Sequence, residues 1–392
     1  MSKIIILSLF LITACNQDDH VASIIPIEDG KPESISPKTE PINVGYAGED
    51  PADIARYLLA RGAETARLSP DGKNIAFQYS VTGQPQLWIV KTAGGQEQQL
   101  TFGSSSERML LPETEGGYRV IGDLIADSKI FTYATNELNG LDYDIYTGNT
   151  STGESRMVYK GHYGFFVRAV SPDGIRLVLS ETVGEDSDNI FLLNSEEGSL
   201  ETISQPEPRA NHTSGGISWS QNGDFLYFST NRNREYAALV RYDIAAKDFE
   251  TIFQTDADVE NVHLCGESDR YLTWTVNDDG YSRLQTRILA TGEALAVPLL
   301  PEGVYHLSCS SLSNLLAIRV NGWDTPGDIY IWNLETGKAT KVFQSNLAGL
   351  DRKRLIRPQS IHIKARDAVL LQMFTVGRLL NLGLISAPMH NT

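Results

Sequence analysis

The sequence has little of what most enzymes need. Its 392 residues hold only three cysteines and seven histidines. No two histidines stand in a His-x3-His pair, so no zinc motif is legible. No Asp-x-Asp-x-Asp-Gly loop with its distant Glu is present, which removes the calcium loop. Phosphate-cradling Gly-x-x-x-x-Gly-Lys and Gly-x-Gly-x-x-Gly strings are absent as well. So is the nucleophile elbow, Gly-x-Ser-x-Gly, whose glycines let a serine sit on a strained strand-to-helix turn. The nearest string, Gly216-Ile217-Ser218-Trp219-Ser220, lacks the second glycine. Positive charge is scarce too: 33 Lys and Arg face 49 Asp and Glu, a net charge of -16. That excess of acid argues against a nucleic-acid partner. The one long apolar run, Ile4 to Ile12, is too short to span a bilayer as a stable helix. These absences leave no metal, cofactor or catalytic residue to assign from the sequence.

What is present is a repeat. An apolar residue precedes a Ser-Pro-Asp-Gly-like turn, written most fully at Leu68-Ser69-Pro70-Asp71-Gly72 and Val170-Ser171-Pro172-Asp173-Gly174. The apolar position runs Leu68, Leu124, Val170, Trp219, Cys265, Cys309. Six and eight residues past the following position stand Ile75/Phe77, Phe131/Tyr133, Leu177/Leu179, Leu226/Phe228, Leu272/Trp274 and Leu316/Ile318. Period-two spacing puts each pair on one face of a strand. A second turn comes at Gly94-Gly95, Thr152-Gly153, Glu197-Gly198, Ala246-Lys247, Thr291-Gly292 and Thr336-Gly337. Tight hairpins demand positive φ there. Five residues beyond each comes an aliphatic: Leu100, Val158, Ile203, Ile252, Val297, Val342. Four short strands per unit at 44- to 56-residue spacing is the signature of propeller blades. The fold class is therefore all-β, a β-propeller of four-stranded blades, six visible. A seventh is the alternative, since Ala365-Arg366-Asp367-Ala368 with Leu371 weakly mimics the first turn.

The repeat also places other residues. Asp142, Asp144, Glu185, Asp186, Asp188, Asp278 and Asp279 fall between second and third strands, and Asp256, Asp258 and Glu260 in a crossover. Both loop types share one rim, so one acidic face is expected. Cys265 and Cys309 occupy the same column 44 residues apart. Equivalent positions on neighbouring blades are expected to exceed the roughly 7 Å Cα limit for a disulfide, which favours two buried thiols. His263 and His306 lie on innermost strands, where packing or a local hydrogen bond is expected more than a channel role.

The chain ends read differently. Residues 1–15 read as a lipoprotein signal peptide, with Ile12-Thr13-Ala14-Cys15 as a lipobox and Cys15 the lipidated residue. Asn16 comes next, which suits an outer-membrane anchor facing the periplasm. Residues 16–50, rich in Asp, Glu, Pro, Ser and Gly, read as a flexible tether. The propeller is assigned to 51–345, led in by a short helix, Asp53 to Arg61, that ends at Gly62. Residues 346–372 form a linker, and 373–392 an unpatterned tail.

Leu68 to Phe77, with Leu87-Trp88-Ile89-Val90 and Gln99-Leu100-Thr101, resembles the Pro-Asp-type propeller repeat. That repeat is shared by periplasmic Tol-system propellers and the N-terminal domains of the prolyl oligopeptidase family. Ala55 to Gly62 resembles the lead-in of exported members of the latter. Pro358 to Gln372, with Ile361-His362-Ile363-Lys364-Ala365-Arg366-Asp367, resembles the first strand of their hydrolase domain. The resemblance implies a two-domain serine peptidase whose propeller, often closed without a strand swap, gates an α/β-hydrolase domain. The family's Gly after Arg-Asp is Ala368 here, and the resemblance stops past Gln372. No triad residue carries over, and the tail from Met373 is expected to reflect a truncated or frameshifted gene. The expected function is the non-catalytic gating propeller of a lipid-anchored peptidase, inactive alone, whose ligand is a peptide or protein. The alternatives are a Tol-like binding module and an independent channel enzyme, which would need acids or histidines converging on the inner strands.

Overall fold

The computed structural model describes residues 54–375 apart from 82, 102–110, 112–115, 125–128, 213–215 and 365–369. Cys15, the signal segment, the tether and Ala365 to Ala368 lie outside the described residues.

Helix α1 (Ile54–Leu59) leads into six antiparallel sheets. The first holds β1 (Thr65–Leu68), β2 (Asn74–Tyr79), β3 (Gln86–Lys91) and β4 (Gln98–Gln99). The second holds β5 (Arg119–Leu124), β6 (Ile130–Thr135), β7 (Asp144–Asn149) and β8 (Ser155–Tyr159). The third holds β9 (Phe165–Val170), β10 (Arg176–Gly184), β11 (Ser187–Asn194) and β12 (Leu200–Ser204). The fourth holds β13 (Ser218–Trp219), β14 (Phe225–Thr230), β15 (Ala238–Asp243) and β16 (Asp248–Phe253). The fifth holds β17 (Val259–Cys265), β18 (Tyr271–Asp278) and β19 (Tyr281–Ile288). The sixth holds β20 (Val304–Cys309), β21 (Leu315–Asn321), β22 (Pro326–Asn333) and β23 (Ala339–Phe343). Beyond the sixth blade the chain forms a two-stranded hairpin, β24 (Gln359–Lys364) and β25 (Leu370–Thr375), rather than a seventh sheet among the described residues. The molecule is a six-bladed β-propeller.

First strands of successive blades pack on one another: β5 on β9, β9 on β13, β13 on β17, β17 on β20, β20 on β1. These strands therefore ring the axis. The paired columns read from the sequence are the core. Ile75, Phe77, Phe131, Leu177, Leu179, Leu226, Phe228, Trp274, Leu316 and Ile318 are all at most 1 % exposed. Each such side chain contributes about 2–3 kcal/mol by leaving water. Five core clusters each straddle two blades. Phe77 of the first packs with Ile329 and Phe343 of the sixth, and Leu239 of the fourth with Trp274 of the fifth. No blade buries its faces alone, which ties the repeats together.

The ring closes without strand exchange, since every blade is one contiguous stretch. Leu68 N–H donates to Ser308 Oγ at 3.0 Å, and Ser310 Oγ donates to the Pro70 carbonyl at 2.7 Å. Residues 61–63 then act as the crossover that a sixth blade would otherwise lack. Arg61 and Asn346 exchange two backbone hydrogen bonds of 2.8 Å, and Ala63 N–H donates to Gly327 carbonyl. The crossover before the fifth blade does the same, Val259 N–H donating to Ala237 carbonyl. Two glycines permit the approach. A Cβ on Gly62 would lie 1.4 Å from the Pro326 carbonyl oxygen, and one on Gly327, at φ 102°, would lie 2.4 Å from that of Ala63.

Two expectations fail. The fifth blade has no full fourth strand: Ala294 makes a single bridge to Arg287, and Val297 stands 38 % exposed outside any strand. Pro298 comes directly after Val297, and proline cannot donate to a ladder. Cys265 and Cys309 form a disulfide rather than two thiols, with Cα atoms 5.2 Å apart. Innermost strands of adjacent blades converge at the axis, so equivalent positions fall inside the bonding range. The bond joins the blade with the weakest sheet to its neighbour.

Candidate functional site: the crossover rim and the axial channel

The acids do gather on the rim that carries the crossovers, but the buried ones hold structure. At the start of the third strand, Asp144, Asp188 and Asp328 are 2 %, 4 % and 0 % exposed. Each carboxylate accepts a backbone N–H from the loop or segment after the fourth strand of its own blade: Gly161 at 3.1 Å, His212 at 2.8 Å and Ser345 at 2.8 Å. In the fifth blade Ser282 does this work, its Oγ accepting from Tyr305 N–H at 3.0 Å. The fourth reverses the partners, Ala237 N–H donating to Asp258 at 2.7 Å. A short polar side chain thus clasps these crossovers to the third strand. Asp328 is the most heavily bonded. Burial pushes its carboxyl up, but the Ser345 hydroxyl and N–H, Lys341 at 2.9 Å and the Arg352 fork at 3.2 Å outweigh it and hold it below the usual range.

One clasp has the connectivity of a catalytic triad. His212 Nδ1 lies 3.1 Å from Asp188 Oδ1, and its Nε2 lies 2.7 Å from Ser204 Oγ. All three side chains are buried, His212 completely. A working triad needs its serine open to an electrophile beside oxyanion donors. Ser204 is sealed inside the blade, and the Asp188–His212 pair stands where Asp144–Gly161 and Asp328–Ser345 stand. The geometry gives the triad pattern and denies it access.

Two open clefts flank the seam between the sixth blade and its neighbours on this rim. The larger, about 570 Å³, lies against Arg61, Glu64, Ser80 and Arg319. The smaller, about 280 Å³, lies between Tyr281, Val304, Trp323 and Pro358. The segment after the last blade is fastened here: Tyr281 Oη donates to the Pro358 carbonyl at 3.3 Å, and Arg357 Nη2 to Glu302 at 2.8 Å. Asp279 pairs with His362 at 3.2 Å. The rim that gathers the crossovers is thus also where the chain leaves the propeller.

The channel holds the less expected group. Arg67 is exposed on β1, yet it interacts electrostatically with Asp123 on β5, His263 on β17 and His306 on β20. β1, β5, β17 and β20 are all first strands of their blades, the strands that ring the axis. Burial and the Arg67 charge push both histidines down to about 4, with Arg319 acting second on His306. Water reaches these imidazoles, but protein surrounds them. Desolvation raises Asp123 although Leu124 and Val170 N–H groups and Arg67 favour its charged form. Among the described residues, no hydrogen bond or ion pair holds the Arg67 guanidinium or either imidazole. His263 and His306 therefore line the channel without the packing or local bond expected of them. Arg67 was missed. The available signal was a polar residue directly before the apolar column, as at Arg67, Asp123, Ser218 and Ser308.

No family model and no curated protein matches the sequence. Solved structures do match the fold. One is from a study of two prolyl endopeptidases and their inter-domain dynamics, at 18% identity and TM-score 0.55, covering 80% of this chain and 46% of that one. Another is prolyl oligopeptidase B from Galerina marginata bound to a 35mer hydrolysis and macrocyclization substrate, at 18% identity and TM-score 0.55 over 80% of this chain and 45% of that one. The same enzyme without ligand matches at 17% and 0.54, again over 80% of this chain and 46% of that one. The propeller thus has the fold found in prolyl oligopeptidases, as the sequence resemblance implies, and the chain spans about half the length of these structures.

Proposed function

We propose that this chain is the non-catalytic, substrate-gating propeller of an exported, lipid-anchored serine peptidase of prolyl-oligopeptidase type. The observation that carries the reading is the ring itself: six blades closed without strand exchange, alike in fold to about half of a prolyl oligopeptidase. Two further features support export. The lipobox-like Ile12 to Cys15 precedes an acidic tether, and a disulfide between Cys265 and Cys309 suits an oxidising compartment. The propeller's task is to admit peptides through its channel while excluding folded proteins, and the hydrolysis belongs to a partner domain.

Three measurements test this. Coding sequence downstream of Thr392 should contain Gly-x-Ser-x-Gly in some frame; unrelated sequence there overturns the peptidase link. The purified chain should show no labelling by a serine-reactive fluorophosphonate, Ser204 included, and labelling would refute a non-catalytic propeller. Labelled palmitate should enter the protein in cells and be lost in Cys15→Ala. Unchanged incorporation removes the anchor.

A further inference from the structure

The larger cleft on the crossover rim, about 570 Å³, is built from three segments that meet at the seam of the first and sixth blades. Small-ligand sites occupy about 300–1,000 Å³, so the cleft has the size of one. Residues 60–64 of the lead-in form one wall, the loop after β2 another, and the end of β21 with Pro326 the third. Main-chain bonds fix these walls: Arg61 and Asn346 exchange two of 2.8 Å, and Ala63 N–H donates to the Gly327 carbonyl at 3.2 Å. Arg319 and Asn321 stand two apart on β21 and so project from one face of the strand. Arg319 is half-buried. Among the described residues its one hydrogen bond runs from Nη1 to the Ala63 carbonyl at 3.1 Å, its Nε is buried with no partner, and no carboxylate pairs with it. A guanidinium has five donors, and removing them from water is costly unless an acceptor replaces it. Glu64, on the lead-in wall, accepts the Ser80 hydroxyl on Oε1 at 2.5 Å and keeps Oε2 without a hydrogen bond. The Arg61 fork is turned back on the Leu58 and Ala60 carbonyls, so its charge meets no acid either.

We propose that this cleft binds an α-carboxylate together with the N–H group next to it, as carried by the C-terminus of a peptide or by a free amino acid. Arg319 takes the carboxylate through its fork, whose planar donors match it. Glu64, steadied by Ser80, accepts the adjacent N–H on its open oxygen. Arg61 contributes charge rather than a bond, since its donors are already engaged. The carboxylate of Glu64 sets the ligand class. It repels a dianion such as phosphate and favours a ligand with a donor beside its anion. The site goes beyond the gating role and does not depend on it.

The test is calorimetric titration of the full chain in detergent with tetra-alanine, tetra-alanine amide and free alanine. The acid should bind about tenfold tighter than the amide, the effect of one charge-assisted contact. General attraction does not mimic this, because a chain of net charge -16 favours the less negative amide. Arg319→Gln should abolish the preference for the acid, and Arg319→Lys, which keeps the charge and the stem, should retain part of it. The wild-type comparison needs no variant, so it decides the proposal even if Arg319→Gln fails to fold. Free alanine identifies the source. Affinity within about tenfold of tetra-alanine assigns the site to amino acids, and Glu64→Gln should then weaken alanine about tenfold through the lost ammonium contact. Lower affinity assigns it to peptide C-termini, and Glu64→Gln should then cost only about threefold, because an amide oxygen still accepts the N–H. The proposal is overturned if acid and amide bind alike, if neither binds, or if a folded Arg319→Gln chain keeps the full preference. Loss of the peptidase link through the downstream sequence would leave these titrations untouched, so the two failures are separable.

Discussion

On the turn rim, Ser69, Ser171 and Ser220 each accept a backbone N–H from five residues ahead, at 2.9 to 3.0 Å. The carboxylates of Asp71 and Asp173 bond two residues ahead, to Lys73 and Ile175. On the crossover rim, Asp144, Asp188 and Asp328 reach partners 17 to 24 residues away. The first set closes local Asx-type turns that any short peptide can sample. The second set is completed only when a whole strand and loop have returned. The same residue types therefore punctuate the chain on one rim and lock the blades on the other. Burial tracks the division: the turn acids are largely solvated, and the clasp acids are not.

The difference predicts a graded response to substitution. Asp328→Ala should cost about 3–5 kcal/mol, because it leaves Lys341 and Arg352 without their shared anion. Urea unfolding checks it, and a loss near that of a surface site would break the contrast between rims. Removing the Cys265–Cys309 bond by double alanine substitution should cost about 2–4 kcal/mol, from a closed loop of 44 residues. The loss should vanish when wild type is measured in strong reductant. His212→Ala should cost about 2 kcal/mol, leaving the buried Asp188 carboxylate short of partners. Asp173→Ala on the opposite rim should cost about 0.5–1 kcal/mol. An equal cost for the last two, read by thermal unfolding, would erase the distinction.

Acid should report on both the clasps and the channel. Asp328 is held below its unfolded value, so its contribution is present above that value and is lost as pH falls through the folded one. His263 and His306 are displaced downward from 6.5 to about 4, so between those values the unfolded chain binds more protons. Stability should therefore already decline as pH drops from about 6.5 toward 4, before the clasp carboxylates titrate. A His263→Gln, His306→Gln chain should flatten that decline in urea titrations at pH 7 and pH 5. An unchanged slope would place the histidines in a solvated setting.

Much of this architecture is legible in sequence because it repeats. The paired columns from Ile75/Phe77 to Leu316/Ile318 are core without exception, and every second-turn glycine from Gly94 to Gly337 has positive φ. Lys247, at φ 56°, holds that conformation without being glycine. The repeat misleads where one copy departs from its own period, as at Val297 before Pro298. It also says nothing about distances between copies, which is why Cys265 and Cys309 read as thiols. The site was harder still. His263 and His306 stood out as histidines on inner strands, but Arg67 is one residue on an ordinary strand. Its partners lie on β5, β17 and β20, far along the chain.

The sequence by itself determined the propeller class, the repeat unit with its antiparallel strands, the turn conformations and the buried columns, while leaving six or seven blades open. These come from period-two burial and from hydrogen bonds closed within a few residues. Tertiary structure alone decided the disulfide, the six-blade closure, the clasped crossovers and the sealed Ser204–His212–Asp188 set. Each depends on how six similar sheets are rotated about one line, and that rotation brings together residues whose separation in sequence carries no signal.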